Sequence, residues 1–102
     1  MKSRRAPVVA TIVLAVVCCT VRAADPASGR EIAANCANCH GTNGRSVGVM
    51  AVLAGRPQAE LVLIVREFRD GKRPSTVMQQ LAKGYTDAQI EAVAAYLAAQ
   101  KP

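Results

Sequence analysis

The 102-residue chain has no tryptophan, and Phe68, Tyr85 and Tyr96 are its only aromatic residues. A surface so poor in aromatic platforms is badly equipped to stack the bases of single-stranded nucleic acid. No stretch alternates polar and apolar residues with period two convincingly, which argues against a half-buried sheet. Internal repeats, low-complexity tracts and linkers long enough to separate domains are all missing. The longest uncharged run, residues 6–21, has sixteen residues. That is short of the roughly 20 needed to span a bilayer comfortably. A single histidine, His40, rules out a site built from two imidazoles of one chain.

Charge is present but unevenly placed. Thirteen Lys and Arg against seven Asp and Glu give a formal +6, a balance that taken alone would suggest an acidic partner. The chain opens on Met1-Lys2-Ser3-Arg4-Arg5, enters the uncharged run, closes it on Val21-Arg22-Ala23 and turns polar at Asp25-Pro26. This order reads as a secretory signal peptide over residues 1–23, cut after Ala23, with the mature domain at 24–102 delivered to the periplasm. The alternative is a leader kept as an amino-terminal anchor. Val17 before Cys18 fits a lipoprotein signal poorly, so Cys18 and Cys19 are apolar filler that leaves with the leader. Removing it takes four basic residues and no acid, leaving a net +2 over 79 residues. Nucleic acid is therefore not an expected partner, and no membrane span is expected after processing. A chain this short is at the lower limit of what an apolar core alone can hold folded.

The mature chain reads as all-α. Asp25 and Pro26 supply an N-cap and a first-turn proline for a helix over residues 26–35. A glycine-rich loop follows at 41–55. A second helix starts near Pro57, carries Leu61, Ile64, Val65 and Phe68 on one face, and stops at Gly71. Ser75 and Thr76 open a single helical turn with Met78 and Leu81, closed by Gly84. Thr86 and Gln89 form a capping box for the last helix, and Ile90, Val93, Ala94 and Leu97 follow the i, i+3, i+4, i+7 stripe.

Cys36-Ala37-Asn38-Cys39-His40 is a C-x-x-C-H motif, the attachment signature for haem c. Two cysteines three apart on a helical turn face the same way, so their sulfurs can form thioethers on one haem edge. The adjacent His40 can then ligate the iron. A disulfide across so small a loop would stabilise little, a thioredoxin-like pair would need a βαβ setting, and zinc would need a fourth ligand from a chain without another histidine or mature cysteine. For the sixth iron position the residues offer Met50, Met78, a lysine, or an open site. A thioether would favour ferrous iron and suit an electron carrier, whereas an open site would suit small-ligand or peroxide chemistry. Met78 lies 38 residues past His40, beyond a whole helix, and Met50 only ten. Spacing favours Met78, and core filling is the ordinary use of either methionine.

The segments GREIAANCANCHGTNGRS, LAG and FRDGKRPSTVMQQLAKGYTDAQIEAVAAYLA together resemble the small class I c-type cytochromes, over essentially the whole mature chain. The last segment looks most like the cytochrome subunit of flavocytochrome c sulfide dehydrogenase, in which a haem subunit takes electrons from an FAD subunit. The resemblance implies three main helices plus a short helical turn around one covalently attached haem. It implies Met78 as the axial methionine opposite His40, Gly29 as the close-approach point of the first and last helices, and Tyr96 as the aromatic packed there. Many relatives place a proline shortly before L-A-G, and its carbonyl accepts a hydrogen bond from the haem-ligating imidazole. Here Val49-Met50-Ala51-Val52 keeps the carbonyl and lacks the proline. The same comparison puts Met50 on the His40 side.

The resemblance implies an electron carrier with no substrate chemistry of its own, served by a redox protein partner, with an FAD flavoprotein subunit as donor. The alternatives are a free carrier between respiratory complexes and a ligand-binding or peroxidatic haem protein. Arg66, Arg69, Lys72, Arg73 and Lys83 cluster in sequence around Met78 and would form a docking patch at the haem edge if they face it together. The competing reading is a solvated face diluted by Glu67 and Asp70.

Overall fold

The computed structural model describes residues 26–102, so the leader at 1–23 and the Asp25 cap lie outside the described residues. Four α-helices and one 3₁₀ turn make up the domain, and no strand occurs among the described residues. Helix α1 runs Pro26–His40, the 3₁₀ turn Thr42–Gly44, α2 Gln58–Arg69, α3 Met78–Ala82 and α4 Asp87–Ala98. The all-α expectation of three main helices and one short turn of helix holds.

Helix α1 is longer than the 26–35 expected, because no residue from Cys36 to His40 breaks it. Gly41 does, taking φ 79° while its N–H still bonds the Ala37 carbonyl at 3.1 Å. A glycine in this left-handed conformation closes a helix at little steric cost. Helix α2 begins just after Pro57 and ends at Asp70, with Gly71 at φ 71°. Its buried residues are Leu61 and Val62, whereas Ile64, Val65 and Phe68 are half-buried. The inward face is thus rotated towards Val62, and Arg66 and Arg69, four and seven residues on, come up along the same edge.

Helix α4 is central and packs against both α1 and α2, while α3 packs on α2. Its capping box is complete: Gln89 N–H donates to Thr86 Oγ1 at 3.2 Å and Thr86 N–H to Gln89 Oε1 at 2.9 Å. Ile90, Val93, Ala94 and Leu97 are all buried and join Ile32, Ala33, Leu61 and Val62 in one core. At the α1–α4 crossing Gly29 meets the backbone of Ala92. A β-carbon at 29 would collide with the Ala92 carbonyl oxygen and stand 3.3 Å from Tyr96 Cβ. The close approach implied for Gly29 and Tyr96 is therefore present.

Candidate functional site

The end of α1 carries three residues of the C-x-x-C-H motif on one turn. Cys36 is half-buried against the core, Cys39 is exposed, and no disulfide joins them. The Cys36 thiol donates to the Ile32 carbonyl at 3.5 Å, and burial pushes its pKa up against a smaller lowering by the backbone at Cys36 itself. A redox-active C-x-x-C pair needs the opposite, a thiolate favoured by its surroundings. Among the described residues no three His, Cys, Asp or Glu side chains gather as a metal-ion cage. No helix among them is long and apolar enough to cross a membrane.

His40 is 8% exposed, the only buried polar or charged side chain among the described residues. Its Nδ1 lies 2.7 Å from the Ala51 carbonyl oxygen. A carbonyl only accepts, so Nδ1 carries the proton, and in the neutral ring Nε2 is left with its lone pair. A ring held in this tautomer by a backbone carbonyl is the arrangement of a metal-ligating histidine, and the second bond raises the ligand's basicity. The loop supplying that oxygen is itself tied down. Leu53 and Ala54 N–H groups both donate to the Gly44 carbonyl, at 2.9 and 3.2 Å, and Gly55 N–H donates to the Leu97 carbonyl of α4 at 3.0 Å.

Met78 opens α3 and is half-buried. Ser75 Oγ accepts from Gln79 N–H at 3.0 Å, so Ser75 starts this turn as the sequence suggests. Val77 and Leu81 beside Met78 are each 52% exposed, and Val47, Val49, Met50 and Val52 on the loop after His40 are also exposed. Apart from Leu63, the large exposed apolar side chains among the described residues all fall on these two segments. Two thiols at the end of α1 with a tautomer-fixed imidazole beside them are donors that fit covalently held haem c. A groove of about 480 Å³ beside α2, lined by Gln58, Ala59, Val62, Leu63, Arg66 and Glu91, includes none of these donors.

The basic cluster is largely spent within the fold. Arg69 pairs with Asp87 at 2.8 Å and Arg66 with Glu91 at 3.1 Å, tying α2 to α4. Arg73 pairs with Glu67 at 2.8 Å and covers the Phe68 ring at 5.6 Å. Lys72 and Lys83 alone of the five make no ion pair among the described residues. The diluted, solvated face is the better description. One contact had no sequence signal: the Tyr96 hydroxyl donates to Asn43 Oδ1 at 2.7 Å, 53 residues away.

A family model for cytochrome c matches residues 26–101, nearly all of the described chain. This chain belongs to the cytochrome c family. Membership brings covalently bound haem c and the work of an electron carrier, and the two cysteines of the C-x-x-C-H stretch are in place. Among cytochromes of known role, the chain is 38% identical to the cytochrome subunit of sulfide dehydrogenase from Chlorobaculum tepidum, over 67% of this chain and 62% of that one. It is 39% identical to the thiosulfate dehydrogenase electron acceptor of Thiomonas intermedia, over 69% of this chain and 33% of the relative. Cytochrome c-554(548) of Halomonas halodenitrificans is 31% identical over 78% of this chain and is covered along its whole length. The chain thus spans less than two thirds of the first two relatives.

Proposed function

We propose that residues 24–102 form a periplasmic monohaem electron carrier exported by the leader at 1–23, and that this domain accepts electrons from an FAD-containing, sulfide-oxidising subunit. In this reading Cys36 and Cys39 hold the haem through thioethers, and His40 and Met78 ligate the iron. The observation that carries it is the buried His40 imidazole, whose Nδ1 proton is committed to Ala51 and whose Nε2 is left as a ligand. The haem supplies a ferric/ferrous couple that exchanges one electron. The chain's own residues orient His40, offer the Met78 sulfur, which favours the ferrous state, and keep water from the iron with apolar side chains on both segments. The choice of donor is supported by the likeness to relatives named for sulfide and thiosulfate dehydrogenases. A free carrier is the second reading, favoured by the full-length match to cytochrome c-554(548).

Spectroscopy and co-purification test the two levels separately. The haem-loaded protein should give a low-spin spectrum unaffected by carbon monoxide, and Met78→Ala should open the iron to carbon monoxide and lower the potential. A Met78→Ala protein with spectrum and potential intact removes Met78 from the ligand set. Native chain purified from the periplasm of sulfide-oxidising cells should carry an FAD protein with it, and its repeated absence there would leave the free carrier.

A further inference from the structure

We propose that Tyr96 is a positioning residue for His40, acting through Asn43 and the Gly44 carbonyl on the loop whose Ala51 oxygen holds the imidazole. The inference rests on the reading that His40 ligates the haem iron. Asn43 is the only non-glycine residue with positive φ among the described residues, at 55°. That conformation is costly for a non-glycine residue, and asparagine tolerates it best. The Tyr96 hydroxyl donates to Asn43 Oδ1 and so holds this turn from α4.

The next carbonyl along the chain, Gly44, is the one that accepts from both Leu53 and Ala54. Those amides stand two and three residues after Ala51. On their far side Gly55 N–H bonds the Leu97 carbonyl, the residue after Tyr96. The segment bearing the Ala51 oxygen is therefore suspended between Asn43-Gly44 and Tyr96-Leu97. Leu53 packs on the core and Ala54 is buried, but the stretch before them has no such anchor. Val49-Met50-Ala51-Val52 contains no proline, and Val49, Met50 and Val52 are 102, 41 and 43% exposed. Packing alone does not need the hydroxyl, since a phenyl ring would fill the same place at the Gly29 crossing. What the hydroxyl adds is the orientation of the Asn43-Gly44 peptide.

A tight Nδ1–H···O=C bond makes the imidazole a stronger donor to iron and favours the ferric state. Releasing the clasp should therefore shift the couple towards ferrous iron. In the haem-loaded full chain, Tyr96→Phe should raise the ferrous-to-ferric ratio at fixed solution potential by about threefold, equivalent to ~30 mV for one electron. Amide exchange at Leu53 and Ala54 should quicken with it. Asn43→Gly keeps the left-handed backbone and removes the acceptor, so it should give the same two changes, and the double variant should add nothing further. Thr86→Ala weakens the same helix at its other end and controls for stability loss alone. It should lower the melting temperature while leaving both readouts unmoved. The proposal is overturned if Tyr96→Phe leaves the ratio unchanged, whether or not exchange quickens, or if Thr86→Ala shifts both readouts equally. Failure of the underlying ligand reading looks different: His40→Ala would then keep the parent's low-spin spectrum, whatever Leu53 and Ala54 do.

Discussion

His40 and Ala51 are joined by a 2.7 Å hydrogen bond from a buried imidazole to a main-chain oxygen eleven residues away. Because the acceptor is backbone, no side-chain truncation at 51 removes it; only displacement of the loop does. Control of the imidazole therefore passes to whatever holds residues 51–55: backbone bonds to Gly44 and Leu97, with Leu53 packed on the core and Ala54 buried. A proline before Leu53-Ala54-Gly55 would add rigidity to the same carbonyl, and this chain does without it.

Ala51→Pro should strengthen this loop. The Ala51 oxygen is kept, and the N–H that proline removes has no hydrogen-bond partner among the described residues. Restricting the unfolded chain at a compatible position adds about 0.4–1 kcal/mol. The expected outcome is a melting temperature a few degrees higher in the haem-loaded protein, with its absorption spectrum unchanged. A lower melting temperature would mean that the backbone at 51 does not accept the proline φ.

Much of this fold can be read from local residue chemistry, and the misses share a cause. Helix α4 is legible because Thr86, Gln89 and the stripe from Ile90 to Leu97 each carry a short-range signal, and all four stripe residues are buried. The Gly29 approach is also legible, through resemblance. The end of α1 is not, because nothing local distinguishes a helical Cys36–His40 stretch from the loop after it until Gly41 breaks the backbone. The inward edge of α2 turns on Val62 because α4 lies on that side, a fact of tertiary packing. The motif Cys36, Cys39 and His40 is compact enough to see in the sequence, and its C-x-x-C-H spacing places it on one turn. The bond between Tyr96 and Asn43 spans 53 residues and depends on one left-handed asparagine, so no window of sequence contains it.

Gly29→Ala sets two effects against each other. Alanine at a helical position gains about 0.8–1.0 kcal/mol over glycine. Its β-carbon would lie 2.8 Å from the Ala92 carbonyl carbon, and backbone on the central helix cannot give way as a flexible side chain could. Overpacking costs of about 1–3 kcal/mol, here at the upper end, make the clash win. Denaturant unfolding should show a net loss of about 1–2 kcal/mol. A more stable variant would mean that α1 and α4 can separate cheaply.

Thr86→Ala removes one half of the capping box and leaves the Gln89 N–H without its acceptor. N-cap truncation costs about 1 kcal/mol, and for a domain of this size that lowers the melting temperature by roughly 4–8 °C. Thr86→Ser, which retains the oxygen, should recover most of the loss. Equal losses for both variants would assign the effect to the threonine methyl group instead.

Asp87 gives the ion-pair edge between α2 and α4 a pH dependence of known sign. The hydrogen bond from Arg69 and its charge, aided by Arg66, hold the Asp87 carboxyl below its ordinary range, against a smaller opposing effect of burial. A carboxyl whose folded pKa lies below its unfolded value of about 3.9 stabilises the fold above that pH. The contribution fades as the pH falls through the folded value, because the proton then binds in both states. Asp87→Asn should therefore be less stable than the parent at pH 7, and the gap should close in strong acid. The Asp87 side chain is 64% exposed, so the effect is small and screened: added salt at pH 7 should shrink the same gap. A gap that ignores both acid and salt would show that the asparagine disturbs the first turn of α4 by its geometry, and that the charge of Asp87 contributes nothing to holding α2 against α4.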